Sequence, residues 1–300
     1  MRSDDPVMHN WRCSSILAAL VALIPVGIAF ASDQDDCQGP SSDCVAVGGW
    51  NLSISLGAGV RTNPVVHEGD IPLVVIPTFS YYGKRLFIDN LDGGVTLLEG
   101  AHSTLSLIAS PGYDRVFFYH GDPQNIVVTG LSNAFLAPGS TTVVTRTNPD
   151  GTVVQVPAVK FPPRSRQITY LAGPEWTFKY RTLSGQLDVL HEITGHNHGD
   201  EVRGALGIPL GHLGGAWSTN IGFTWKSSEI VNYYYGAPGL YAGRAAFDPF
   251  VKLAFSRPLK GKWKLTGFVE TERLGEAIAH SPIINASYVT TTFVGVMYTF

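Results

Sequence analysis

Trp50-Asn51-Leu52-Ser53-Ile54-Ser55-Leu56-Gly57-Ala58-Gly59-Val60 alternates, residue by residue, between apolar and small polar side chains. In a strand, successive side chains point to opposite faces. Trp50, Leu52, Ile54, Leu56, Ala58 and Val60 therefore share one face, and Asn51, Ser53, Ser55, Gly57 and Gly59 share the other. A β-strand crossing a bilayer needs about 9–11 residues, and a membrane barrel alternates lipid-facing with lumen-facing positions. This stretch meets both requirements.

The same pattern recurs along the chain. Leu73, Val75, Phe79 and Tyr81 line up within Leu73–Tyr82, and a partner runs from Lys84 to Asp89 after a tight turn. Ser103–Ala109 is a shorter strand. Trp176, Phe178 and Tyr180 alternate with Thr177, Lys179 and Arg181. Leu187, Val189 and His191 alternate with Gln186, Asp188 and Glu192, although Leu190 falls on the polar side. Val202–His212 follows by position. In Ala216–Lys226 the apolar row Trp217, Thr219, Ile221, Phe223, Trp225 has a tryptophan at each end, where the aromatic girdles of a membrane barrel belong. Val251–Ser256, Trp263–Glu270 and Tyr288–Phe300 alternate likewise. Counting Tyr233–Tyr235 as a short strand, the spacing predicts an all-β fold. We expect a transmembrane antiparallel β-barrel with an even number of strands, about twelve within a range of roughly ten to fourteen.

A soluble barrel or sandwich also alternates with period two. There the face opposite the apolar row carries charge toward water. Here it is dominated by Ser, Thr, Gly and Asn, and charged residues make up only 15% of the chain, below the roughly 25% typical of soluble domains. A crowded polar lumen inside a lipid-facing wall accounts for both facts. The net charge of -3 and the absence of like-charge blocks argue against a nucleic-acid partner.

Residues 1–31 read as a cleaved export signal: Arg2 and Arg12, an apolar run Ile16–Phe30, then Ala29-Phe30-Ala31 before Ser32. The run is too short for a spanning helix of about 20 residues. Residues 32–49 form a short periplasmic leader, and residues 50–300 the barrel. The mature chain keeps Cys37 and Cys44, near enough to close a small disulfide loop in an oxidising compartment. A metal site would need more donors than two thiols.

A long irregular insertion spans about 111–167, holds seven of the nineteen prolines and resists the barrel reading. Within it, Thr141–Thr147 and Thr152–Val159 flank the turn sequence Asn148-Pro149-Asp150-Gly151. Counting strands places this insertion on the periplasmic side, where barrel connections are normally short. That conflict implies either a genuine periplasmic feature or strands left uncounted, for instance around Asn125–Phe135.

His191-Glu192-Ile193-Thr194-Gly195-His196-Asn197-His198 superficially resembles a zinc-protease helix. That motif needs histidines four apart; here they are five apart, with turn residues between, so a solvated hairpin tip is expected. Glu270, Glu272 and Glu276 near Arg273 and Lys264 could be paired acid–base groups, but lumen and loop charges pairing with one another are the simpler reading. We therefore assign no catalytic, cofactor or metal residues. The expected lumen charges are Lys179, Arg181, Asp188, Lys226, Lys252, Lys264 and Glu270.

Several runs resemble the MipA/OmpV family of Gram-negative outer-membrane proteins. They are Ser55-Leu56-Gly57-Ala58-Gly59-Val60, Tyr233-Tyr234-Tyr235-Gly236 with Gly239-Leu240-Tyr241, and Phe250-Val251-Lys252-Leu253. Glu272-Arg273-Leu274-Gly275-Glu276-Ala277 leading to Ser281-Pro282-Ile283, and the closing Gly295-Val296-Met297-Tyr298-Thr299-Phe300, complete the set. The final strand with Phe300 also looks like the assembly signal of outer-membrane barrels. The resemblance implies a non-enzymatic barrel seated in outer-membrane lipid and needing no cofactor. It further implies a scaffold role linking a lytic transglycosylase to a murein synthase, or support of envelope integrity. Porin-like small-solute transport and surface adhesion or immunogenicity are the other roles described for the family. The insertion departs from the family pattern.

Overall fold

In a computed structural model of the chain, residues 48–119, 145–147, 153–155 and 166–300 are described. The expected signal, the leader up to residue 47, Cys37, Cys44 and Asn125–Phe135 lie outside them. The strands are β1 (Trp50–Arg61), β2 (Ile71–Tyr82), β3 (Leu86–Asp89), β4 (Asp92–Glu99), β5 (Ser103–Pro111), β6 (Thr145–Thr147) and β7 (Val153–Gln155). They continue with β8 (Tyr170–Tyr180), β9 (Leu183–Glu192), β10 (Asp200–Gly211), β11 (Ala216–Lys226), β12 (Ala246–Pro258), β13 (Trp263–Arg273) and β14 (Tyr288–Thr299). Two short helices, α1 (Ser228–Tyr235) and α2 (Glu276–Ala279), and a 3-10 turn at Tyr113–Phe117 interrupt them. Twelve strands close an antiparallel barrel in the order β1-β14-β13-β12-β11-β10-β9-β8-β5-β4-β3-β2, while β6 and β7 pair only with each other. Closure leaves no sheet edge running round the wall, which any β-structure in hydrocarbon requires.

The count agrees with the sequence expectation, but its membership differs. Tyr233–Tyr235 is the end of helix α1, not a strand, and β4 was not expected. With β4 included, the long connections all leave the same end of the barrel: 62–70, 112–169, 193–199, 227–245 and 274–287. The short turns at 83–85, 100–102, 181–182, 212–215 and 259–262 sit at the opposite end, with the start of β1 and the end of β14. The insertion therefore departs from the loop-bearing end, and its expected place beside the short turns is corrected. Its described residues hold the expected hairpin in part, with Thr145 opposite Gln155 and Thr147 opposite Val153.

The outward row of β1 is exposed at Trp50, Leu52, Leu56 and Val60, and its inward Ser55 is 1% exposed. Aromatic pairs ring the short-turn end on this outer face. Trp50 lies 5.2 Å from Tyr81, Trp217 4.7 Å from Phe255, and Trp263 5.0 Å from Tyr298, measured between ring centroids. Phe223 stacks on Phe247, at 5.0 Å, toward the loop-bearing end. An apolar belt between two aromatic girdles is the outer surface a bilayer demands.

One row turns over. Leu73 was expected on the apolar outer face with Val75, Phe79 and Tyr81. A register shift between Leu56 and Gly59 places Leu73 opposite Gly59, inside the barrel and fully buried, and turns Val74 outward. A bulge adds one residue to one strand and so reverses the faces beyond it. Leu73 joins Ile71, Ile76 and Phe293, with Phe268 packed alongside, in an apolar patch on the inner wall. Gly57 and Gly295 are register partners beneath the Phe293 ring. A Cβ built on either would lie within 3 Å of that ring's Cζ and against the backbone across the ladder. Gly57→Val is therefore expected to block closure of the β1–β14 seam. The variant should migrate as unfolded protein in semi-native gel electrophoresis, whereas Ala58→Val, on the outer face, should fold normally.

Candidate functional site

The loop-bearing end is filled. Val65, Val116, Phe117, Ile230, Val231, Tyr234, Tyr235, Leu274, Ile278, Ile283 and Ile284 form one buried cluster with the wall residues Ile108, Leu171, Leu190 and Val289. The cluster draws on each long connection except 193–199, whose contribution is polar. Leu190 is on the polar side of β9 for this reason: it points inward beneath the plug and is 1% exposed. Buried carboxamides and hydroxyls tie the loops to one another. Asn63 donates from Nδ2 to the Phe117 carbonyl at 3.0 Å, and the Ser281 hydroxyl donates to the Tyr235 carbonyl at 2.6 Å. Asn232 bridges to Gly243 in both directions at 2.7 Å.

An ionic latch fastens this plug to the wall. Lys226, at the end of β11, places Nζ 2.7 Å from Asp114 Oδ1 on the 3-10 turn and 3.0 Å from Asp248 Oδ2 on β12. The Tyr235 hydroxyl donates to the same Asp114 oxygen at 2.6 Å, and the Gly275 amide donates to Asp248 Oδ1 at 2.7 Å. Burial and the Asp114 charge beside it hold the Tyr235 hydroxyl well above the usual phenol range. It stays a donor at any physiological pH.

Below the plug, inward rows run round the wall as register partners. One row is Arg61, Thr291, Glu270, Lys252, Asn220, Gly207, Ser184 and Lys179. The Lys252 ammonium is 3.4 Å from Glu270 Oε2 and 4.4 Å from the centre of the Phe268 ring. A second row is Asp248, Thr224, Arg203, Asp188, Glu175, Ser106 and Thr96. Arg203 directs its donors elsewhere: Nε to Glu201 Oε1 at 2.5 Å, and the two terminal nitrogens to Ser110 Oγ at 2.6 Å and the Pro111 carbonyl at 3.1 Å. Together these rows surround a cavity of about 850 Å³. Val116, Phe117, Leu274 and Val289 belong to both the cavity lining and the apolar cluster, so the plug is the cavity's roof. Glu99, His102 and Lys179 line its other end, beside the short turns.

The residues expected in the lumen are distributed as follows. Lys179, Asp188, Lys226 and Glu270 line the cavity. Lys252 lies in the same inward row, buried against Glu270. Lys264 is inward too, opposite Met297 and near the short-turn end, away from the cavity lining. Arg181 is not in the lumen: it occupies the two-residue turn between β8 and β9 with φ of 55° and lies over the Tyr180 ring. Of the carboxylates considered as an acid–base set, Glu270 and Glu272 face the lumen, whereas Glu276 is exposed on α2 and Arg273 points outward. Alternation alone did not single out Arg61, Asp89, Asp92, Asp114, Glu175, Glu201, Arg203 or Asp248. Asp89 and Asp92 face each other across the short turn between β3 and β4, Asp114 sits on the 3-10 turn, and the others take their partners from the closed barrel.

The histidine-rich hairpin has a structural explanation. Glu192 is 2% exposed, and its carboxylate collects the backbone amides of Thr194, His196, Asn197 and His198 along with the Thr194 hydroxyl. His198 takes a φ of 55° to let the loop wrap round this anion. His191 points outward instead and meets Asp200 at 2.8 Å on the exposed face. Glu192→Ala leaves those amides without their acceptor, so exchange protection at 196–198 should fall by about 1–3 kcal/mol. The barrel strands should keep theirs, as hydrogen exchange followed by mass spectrometry would report.

Comparison with known proteins places this geometry. The family model for MltA-interacting protein MipA matches residues 54–300. MltA-interacting protein from Escherichia coli (strain K12) is 22% identical over 267 residues, covering 83% of this chain and 90% of its own, and the Shigella flexneri protein of the same name gives the same figures. Among solved structures, the KdgM porin covers 84% of this chain and 99% of its own at 9% identity and a TM-score of 0.34. An anion-selective porin from Comamonas acidovorans gives 10% identity and a TM-score of 0.32. Overlaps this loose carry no weight for fold or function, and the family match over residues 54–300 carries the assignment: the chain belongs to the MltA-interacting protein MipA family.

Proposed function

We propose that this protein is a plugged outer-membrane barrel without enzymatic activity, oriented with its termini and short turns in the periplasm, that docks murein-processing enzymes there. The single observation that carries this reading is the apolar plug. An open diffusion channel needs a continuous wet path, and here buried apolar side chains from the long loops form one cluster at one end of the barrel. The name of its relatives supports a partner of the MltA kind, and the resemblance to the family adds a lytic transglycosylase and a murein synthase as the enzymes to seek. The loop-bearing end then faces outward, with the insertion on that side. The proposed disulfide between Cys37 and Cys44 and the cleavage after Ala31 belong to the same export route.

The test is co-purification of cell-wall enzymes with the detergent-solubilised barrel, alongside planar-bilayer recording. We expect both enzymes in the eluate and a silent bilayer. Removal of residues 120–165 should leave capture unchanged, because that segment leaves the far end of the barrel. Retrieval of neither enzyme sinks the docking role. Discrete conductance steps from the intact protein would favour small-solute transport, for which the charge-lined 850 Å³ cavity is the supporting feature.

A further inference from the structure

We propose that the lumen below the plug is a binding site for a linear aliphatic polyamine that enters from the short-turn end. This goes beyond docking of murein enzymes and does not depend on it.

Charge comes first. The cavity is lined by nine carboxylate side chains against four lysine and arginine side chains, and a fifth cation, Lys252, is paired with one of those carboxylates, Glu270. A cavity with low-dielectric walls concentrates the field of its ionised carboxylates on cations. The excess is also lopsided. Asp89 and Asp92 are register partners on β3 and β4, and Glu175 and Asp188 on β8 and β9. Glu201 follows on β10. The cations on these strands are Lys179, toward the short-turn end, and Arg203, which gives one donor each to Glu201, Ser110 and the Pro111 carbonyl. Gln186 bridges Glu175 and Asp188 through a single Nε2, at 3.0 Å to each, which supplies hydrogen bonds but no charge.

The second observation is orphaned oxygen. Glu201 is 2% exposed and Asp114 1%, and both line the cavity. Glu201 Oε2 and Asp114 Oδ2 have no hydrogen-bond partner, although the other oxygen of each carboxylate is engaged. Buried carboxylate oxygens ordinarily accept a hydrogen bond, so each of these two can take a further donor from within the cavity.

The arrangement also selects the kind of cation. Among the described residues no three His, Cys, Asp or Glu side chains converge closely enough to hold a metal ion. The carboxylates are instead strung along a wall whose strands lie about 4.8 Å apart. Ammonium groups separated by short methylene spacers match such a string, each donating up to three charge-assisted hydrogen bonds. The spacers can lie against the inner-wall Phe87 and Ile108, which also line the cavity.

The experiment is calorimetric titration of the detergent-solubilised full-length barrel with spermidine. Magnesium chloride at matched ionic strength and a neutral polyol serve as controls, and thermal unfolding is followed in parallel. Saturable binding of spermidine alone is expected, with a rise in melting temperature. The double variant Glu175→Gln/Asp188→Asn should bind at least about tenfold more weakly, the loss of one charge-assisted hydrogen bond. Without ligand it should melt no lower than the parent, because the change removes like-charge repulsion. Those opposite signs separate loss of a site from loss of fold. The proposal is overturned if magnesium gives the same response as spermidine at equal ionic strength, if spermidine shows no saturable heat, or if the double variant binds as tightly as the parent.

Discussion

Lys226→Met is expected to cost about 3–5 kcal/mol of stability, the usual consequence of deleting one member of a buried ion group. The side chains of Lys226, Asp114 and Asp248 are 8%, 1% and 0% exposed. Once the ammonium is gone, two carboxylates face each other in the barrel interior with only Tyr235 and Gly275 as donors. Methionine preserves the volume and apolar stem of lysine, so the loss reports charge and not a cavity. The triple variant Lys226→Met/Asp114→Asn/Asp248→Asn should recover most of the stability, because it removes the uncompensated charges along with their partner. Denaturant unfolding of the refolded barrel, read by tryptophan fluorescence, measures both. A triple variant no more stable than the single one would mean that the latch is not primarily electrostatic.

The latch also illustrates what can be read from sequence and what cannot. The barrel wall was legible wherever lipid and lumen impose a strict two-residue period, as in β1, β11 and β14, because each side chain meets one of two solvents. β4 escaped notice for a local reason. A register shift between Thr96 and Leu98 leaves both Leu97 and Leu98 exposed on the outside, and Gly93 and Gly94 precede them. A strand with a bulge and two glycines has no clean period to detect. Tyr233–Tyr235 misled in the opposite sense. Three consecutive tyrosines have high β-propensity, yet Ile230, Val231, Tyr234 and Tyr235 are the buried positions of α1, spaced as one face of a helix. The missed helix and the missed strand offset each other in the strand count. The lumen charges were legible only in part, since their partners are set by closure. Lys226 and Asp114 are 112 residues apart in sequence, and Arg61 and Thr291 are 230 apart. No local pattern encodes which cation meets which carboxylate across a barrel; only the register of twelve strands does.

The plug makes the second large prediction. Ile230 and Val231 are 2% and 0% exposed, packed between α1 and the wall. Replacing both with aspartate removes roughly 1.5–3 kcal/mol of apolar burial for each side chain. It also demands burial of two charges that nothing nearby compensates, at several kcal/mol apiece. The cheapest response is for α1 to leave the cluster. The wall can survive this, because its closure runs through the β1–β14 ladder, nine register pairs from Ser53 with Thr299 to Arg61 with Thr291, and no residue of α1 takes part in it. Such a variant should keep the gel mobility of a folded barrel while converting a silent bilayer into one with discrete conductance steps. The steps should favour cations, given the nine carboxylates that the opened cavity presents. A folded variant that stays silent would place the seal elsewhere, in which case the loop cluster is a stabilising core and the closed state has a different cause. A variant that conducts with anion preference would instead mean that Arg61, Lys179 and Arg203 dominate the field along the path, and would count equally against a lumen built for ammonium groups.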